Sequence, residues 1–384
     1  MAVTPARRAL LLAAAALAVL AGSVRAEAAP GMLIGIFDDG QTLFNGQSAF
    51  ATYQRLRVQI VRIQLVWGGP RGVALRRPAN PADPADPAYD WTIYDKAVLR
   101  AQAAGMQVLF SIWGTPSWAN PAGPNHAPLR SADLRAFAAA AAIRYSGKFA
   151  LQQQLVLPTV TLWAAWNEPN NPVFLKPQFV RSNGKWVYQA ARDYAKICEA
   201  VWSGIHSTPL REKVACGVTA PRGNNSPTSE RPSTSPLAFL RAAKSAGLKH
   251  FDDWAHHPYY GSKLETPSSV PPHGANGTPA NSVTLGNLDT LVGELTRLYG
   301  PKRVWITEYG YQTDPPDPLF GVSWAKQASY LKDAFAIARK NPRVDMMIWY
   351  LLQDEPAVSG WQSGLRTTGG RLKPSFKAFQ QLPR

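Results

Sequence analysis

Soft metal ligands are scarce in this 384-residue chain. It has two cysteines, Cys198 and Cys216, and six histidines, with none of the clustered Cys/His spacing of a zinc site. No glycine-rich dinucleotide fingerprint follows the first apolar strand. Neither a metal nor an organic cofactor is therefore expected. After residue 26 no stretch reaches the roughly 18 uninterrupted apolar residues of a transmembrane helix, so no membrane span is expected in the mature chain. The net charge is +16, yet there is no Lys/Arg run and no nucleic-acid motif. Scattered arginines of this kind suit a generally basic exported protein, and nucleic acid is not an expected partner.

What is present begins with a leader. Arg7 and Arg8 precede an apolar run from Ala9 to Ala21, and small residues around Val24–Arg25–Ala26 supply a cleavage site. Residues 1–26 are read as a signal peptide, with an uncleaved anchor as the alternative. The expected location is secreted or periplasmic. Losing Arg7, Arg8 and Arg25 with the leader lowers the charge from +16 to +13.

In 27–384, short apolar runs alternate with amphipathic stretches, the pattern of a parallel sheet wrapped by helices. Strands are predicted near 32–36, 58–66, 107–113, 159–166, 214–219, 253–257, 303–307 and 345–351. Helices are predicted at 91–104, 131–146, 187–205, 237–246, 288–298 and 325–339, where apolar residues recur at three- and four-residue spacing. Eight such strands in about 358 residues predict an α/β fold, a single-domain (β/α)8 TIM barrel. The segments after strands two, five, six and eight are long and rich in Pro, Gly, Ser and Asn, so long βα loops should wall the C-terminal face, where barrel sites are built. Cys198 and Cys216 fall in a helix and the strand that follows. Export permits a disulfide between them, and two buried thiols remain the alternative.

Two glutamates close apolar strands. Glu168 ends Thr161-Leu162-Trp163-Ala164-Ala165-Trp166-Asn167-Glu168, and Glu308 ends Val304-Trp305-Ile306-Thr307-Glu308. A carboxylate is costly to bury, so an apolar strand that delivers one to its end usually does so at the mouth of a site. Strands four and seven lie across a barrel from each other. Two carboxyl groups converging there are the minimum equipment for glycosidic-bond cleavage.

Trp166-Asn167-Glu168-Pro169 and Ile306-Thr307-Glu308-Tyr309-Gly310 resemble the strand-four and strand-seven signatures of retaining glycoside hydrolases of clan A, families five and thirty-nine in particular. Weaker matches are Tyr89-Asp90-Trp91 with Tyr94-Asp95, Gly114-Thr115-Pro116-Ser117-Trp118, and His257-Pro258-Tyr259. The resemblance implies Glu168 as general acid/base and Glu308 as nucleophile, about 5–5.5 Å apart. It implies that Asn167 binds the sugar 2-hydroxyl and that Arg62 on strand two holds the nucleophile. His257 and Tyr259 would line the sugar site, although His256 competes with His257 for the inward position. Trp349 on strand eight would be the platform beneath the sugar. Indole stacks well on the apolar face of a pyranose, which makes Trp113 and Trp118, and less so Trp67, candidate walls.

The resemblance implies a carbohydrate partner with an equatorial, β-glycoside-like leaving group. Surplus positive charge, with Arg222, Arg231, Arg366 and Arg371 in mouth loops, makes an acidic polysaccharide conceivable. Hydrolysis and transglycosylation are not separated by the sequence, and neither are endo and exo action or the oligomeric state. A catalytically inactive glycan-binding envelope protein is the rival from another class.

Overall fold

The computed structural model describes residues 31–152, 155–271 and 281–384; the expected signal peptide, 1–26, lies outside the described residues. Eight strands form a closed parallel barrel: β1 Leu33–Phe37, β2 Ile60–Val66, β3 Gln107–Trp113, β4 Leu162–Ala165, β5 Lys213–Thr219, β6 Asp253–His256, β7 Val304–Tyr309 and β8 Val344–Tyr350. Each pairs with the next in chain order, and β8 closes on β1 with Ile36 opposite Trp349. Helices α1 Gly46–Arg55, α2 Thr92–Ala103, α3 Ser131–Arg144, α4 Gln189–Ile205, α5 Pro236–Ser245, α6 Leu288–Tyr299, α7 Trp324–Lys340 and α8 Pro374–Gln380 follow the strands in turn. This is the expected (β/α)8 barrel.

Strand alternation splits the core into two layers. Phe37, Ile60, Leu109, Ala164, Trp305 and Ile348 pack together inside the barrel. Their chain neighbours, such as Ile36, Val61, Phe110, Trp163, Ile306 and Trp349, fill the layer between strands and helices. Gly35 occupies a position where only glycine fits, since a Cβ there would lie 2.6 Å from Ile60 O. Cys198 on α4 and Cys216 on β5 form a disulfide with Cα atoms 6.0 Å apart, which decides between the bond and two thiols.

The sequence pattern did not reveal α1 or α8. In α1 only Ala49, Phe50 and Tyr53 bury apolar side chains behind a glycine start, and α8 has seven residues with Pro374 at its head. The stretch predicted as helical from 187 begins instead as a hairpin, Phe179–Ser182 with Lys185–Tyr188. Its two-residue turn is Asn183–Gly184, both at positive φ, a pairing that signals a hairpin in sequence. Among the described residues no helix is long and apolar enough to cross a membrane.

Candidate active site

The C-terminal ends of the strands surround a cavity of about 1120 Å³. Glu168 reaches it by a strained exit from β4. Trp166 and Glu168 adopt φ of +72° and +37°, conformations that L-residues hold only when their surroundings fix them. Those surroundings are specific. Trp166 N donates to Ile112 O, its indole donates to Phe174 O, and Glu168 N donates to Val218 O, each at 2.8 Å. The fully buried Asn170 side chain accepts from Ala220 N and donates to the carbonyls of Ala220 and Thr234. The loop after β4 is thereby tied to the loop after β5.

Glu308 arrives through an irregularity. The register of β7 against β8 shifts between Ile306 and Tyr309. Such shifts re-aim side chains, and here both Thr307 and Glu308 reach the site. Arg62, fully buried on β2, donates from Nη1 to Glu308 Oε1 at 2.5 Å and to Thr307 O at 3.2 Å. Its Nη2 donates to Asn167 Oδ1 at 2.6 Å and its Nε to Ser111 Oγ at 2.9 Å. Tyr259 Oη donates to Glu308 Oε2 at 3.2 Å, so both carboxylate oxygens are held. A guanidinium cannot accept, so the amide of Asn167 must turn its oxygen toward Arg62.

His257 stands between the two glutamates. Its Nδ1 is 3.0 Å from Glu168 Oε1 and 3.6 Å from Glu308 Oε2, while its Nε2 faces Thr307 Oγ1 at 3.0 Å and Arg62 Nη1 at 3.4 Å. Since Arg62 only donates, Nε2 must be the acceptor and Nδ1 carries the proton. Burial pushes the His257 pKa down to about 3, so the ring is neutral. Adjacent His256 faces away, with Nδ1 2.8 Å from Thr219 Oγ1 and Nε2 3.0 Å from Val283 O. The inward histidine is His257.

Glu168, Glu308 and His257 bring one ligand atom each within 4.8 Å of one another. The two carboxyl groups therefore face the same small space. Glu168 has its pKa pushed up to about 7, chiefly by burial and against the pull of Asn171, Arg62 and Arg231. Asn171 Nδ2 donates to its Oε2 at 3.0 Å. One carboxyl thus retains a proton near neutrality while the other sits in an ion pair, which is the division that acid and nucleophile roles require. The same three residues have the spacing of a metal-ligand set, but the guanidinium fixed on Glu308 already supplies a cation there and would repel a second.

Structure brings Arg62, Asn167, Glu168, His257, Tyr259 and Glu308 together. Trp113 lines the cavity, edge-on to Trp166 and Phe174. Three expectations are corrected. Trp349 is fully buried in the layer outside the barrel, its indole donating to Ser363 O at 3.0 Å. The inward residues of β8 are Met346, Ile348 and Tyr350, so alternation puts Tyr350 at the cavity instead. Trp118 is not among the cavity-lining residues; it donates to Ala74 O at 2.8 Å beneath the Arg77 guanidinium and tethers two loops. Trp67, the lesser candidate, is fully buried against Trp118 and Phe137.

Further lining residues went unnoticed in the sequence: Asp38, Asp39, Asn171, Tyr350 and Trp361. Asp38 follows an apolar strand just as Glu308 ends one, so the same rule applied to β1 would have found it. Trp361 packs edge-on to Tyr350, with ring centres 5.5 Å apart, on a loop anchored by a buried ion pair. There Lys373 Nζ lies 2.7 Å from Asp354 Oδ1 and also donates to Thr313 Oγ1 and Gln362 O. Of the four mouth arginines, Arg231 alone lines the cavity. Arg222 pairs with Glu265, Arg366 donates to Gln41, and Arg371 lies over Trp324.

A barrel with paired carboxyl groups at its C-terminal mouth is the class that fold and site define. No protein-family model and no curated protein matches the sequence. Among solved structures, a glucosidase from Croceicoccus marinus is similar, with TM-score 0.64 and 15% identity, over 93% of this chain and 68% of the other. A family 39 glycoside hydrolase from the gut symbiont Bacteroides cellulosilyticus has TM-score 0.62 and 19% identity, over 93% of this chain and 64% of the other. A family 1 β-glucosidase from Thermotoga maritima has TM-score 0.57 and 12% identity, over 91% of this chain and 97% of the other. At such identities the likeness establishes the (β/α)8 fold that this chain shares with glycosidases.

Proposed function

We propose that the chain is an exported retaining glycoside hydrolase, with one catalytic domain over 27–384, acting on β-glycosidic bonds of an oligo- or polysaccharide. The approach of Glu168 and Glu308, one oxygen of each within 4.8 Å, carries this reading, because it suits the short separation of a double displacement better than the wider gap of an inverting pair. Glu308 attacks the anomeric carbon and forms a glycosyl-enzyme while Glu168 protonates the departing oxygen. Glu168 then takes a proton from the incoming water, which releases the sugar from Glu308.

The neighbours have matching tasks. Arg62 and Tyr259 orient Glu308, and Asn167 is placed to bind the hydroxyl next to the reacting carbon. His257 holds Glu168 through Nδ1–H. Trp113 and Tyr350 offer aromatic surface on two sides of the cavity. Export is supported by the apolar N-terminal run and by the Cys198–Cys216 disulfide, which suits an oxidising compartment.

Turnover of aryl β-glycosides with good and poor leaving groups tests the assignment. Glu308→Gln is expected to be inactive on all of them. Glu168→Ala is expected to keep activity on good leaving groups, with azide restoring more. Equal loss on good and poor leaving groups would remove Glu168 from the acid/base role.

A further inference from the structure

The charge in the cavity is unevenly placed. Arg231 is the loop cation that acts on Glu168. On the other side Tyr350 neighbours Glu308, Glu355, Asp38 and Asp39, and Asp39 in turn neighbours Arg62 and Glu308. In a double displacement the sugar that becomes attached to Glu308 lies on the Glu308 side, and the leaving group lies beside Glu168. The attached sugar therefore meets a wall carrying Asp38, Asp39 and Glu355, while Asp354 is paired there with Lys373 and Arg71 lines the same cavity.

Asp38 is committed to the fold. Its oxygens accept from the backbone N–H groups of Gln41, Leu352 and Gln353 at 3.0–3.2 Å. Asp39 is not. Both its oxygens share one long contact, 3.3 Å each, from Gln64 N. A carboxylate has about four acceptor positions, so most of those on Asp39 remain unspent at the cavity wall. Sugar hydroxyls are donors that fill them, whereas a uronate carboxylate brings like charge against Asp39.

We propose that Asp39 accepts hydrogen bonds from hydroxyls of the sugar attached to Glu308 and makes this position selective for neutral sugars over uronates. The inference rests on the retaining mechanism proposed above. For this sugar it points away from the acidic polysaccharide that net charge suggested, because Asp39 rather than an arginine offers the open hydrogen-bonding positions.

The test uses the full-length protein at about pH 8, above the value of about 7 to which burial pushes Asp39. Reagents are the 2,4-dinitrophenyl 2-deoxy-2-fluoro-β-glycosides of glucose, galactose and mannose, and the matching uronides. Such a leaving group needs no acid, so Glu168 does not limit the rate. Labelling of the Glu308 peptide is followed by mass spectrometry. At least one neutral reagent should label wild type about tenfold or more faster than its uronide. Asp39→Asn should slow that neutral reagent by about tenfold, the worth of a hydrogen bond to a charged group, and narrow the ratio. Uronides that label wild type as fast as neutral reagents would overturn the proposal without reference to any variant. An unchanged ratio in Asp39→Asn, with Glu308 still labelled, would overturn it while leaving the retaining mechanism standing. Failure of every reagent to label Glu308 in wild type would bring down both.

Discussion

Arg62 and Glu308 form a buried ion pair, Nη1 to Oε1 at 2.5 Å, between β2 and β7 on opposite sides of β1 and β8. The same guanidinium also holds Asn167 and Ser111, and it lies 4.4 Å above the Phe37 ring. One cation therefore sets the positions of three strand ends, and the proposed nucleophile inherits its direction from all of them.

Removing that cation should leave a buried carboxylate without its partner. Arg62→Ala is expected to lose about 3–5 kcal/mol of stability by urea denaturation and to lose turnover as well. Arg62→Lys keeps the charge but not the fork, so it should recover part of the stability and little of the activity. An Arg62→Ala protein as stable as wild type would show that the pair does not organise the site.

Glu168 gives a dependence on pH whose direction is fixed by burial. Its pKa rises from 4.5 to about 7, so the folded protein keeps a proton there that the unfolded chain releases. Between those values the folded state binds more protons, and its stability falls as pH rises. Glu168→Gln escapes this loss. The variant should be more stable than wild type at about pH 8 by on the order of 1–3 kcal/mol, and the gain should vanish near pH 4. Turnover of poor leaving groups should fall as pH climbs through about 7, where the acid is lost. Denaturation curves at both pH values and a pH–rate profile check the two halves separately.

On β8 the expected platform and the residue beside it should separate cleanly. Trp349→Phe removes a buried indole hydrogen bond and should cost about 1–3 kcal/mol of stability with kcat/KM little changed. Tyr350→Ala exposes the cavity wall and should lower kcat/KM about tenfold with a smaller effect on stability. Steady-state kinetics beside thermal melts distinguish them, and the reverse pattern would restore Trp349 as the platform.

The disulfide closes a short loop between α4 and β5, with its cysteines 18 positions apart. Reduction should lower stability by about 3 kcal/mol on chain-entropy grounds. The disulfide lies on neither of the strands that carry Glu168 and Glu308, so activity below the melting temperature should survive reductant.

Much of this was legible in the chain because two regularities carry it. Alternating apolar strands and helices specify the barrel, and a carboxylate at the end of an apolar strand specifies Glu168 and Glu308. The first regularity fails at α1 and α8, whose apolar faces are too small to stand out. The second finds a residue but not the direction of its side chain. Trp349 shows the cost: one position along β8 reverses the face, and only the register against β1 and β7 reveals that Tyr350 points inward. Net charge is silent on position for a related reason, since a sum over the chain does not say which arginines reach the cavity. Asn171 had no signal at all. Its contact with Glu168 depends on the turn that the strained backbone of Trp166 and Glu168 creates.

The most direct test of the account is the anomeric configuration of the first product, followed by NMR before mutarotation on whichever β-glycoside the protein cleaves. Two carboxyl groups this close should release the β-anomer first, the configuration of the bond that was cut. Initial release of the α-anomer would mean a single displacement by water and would contradict the covalent role of Glu308.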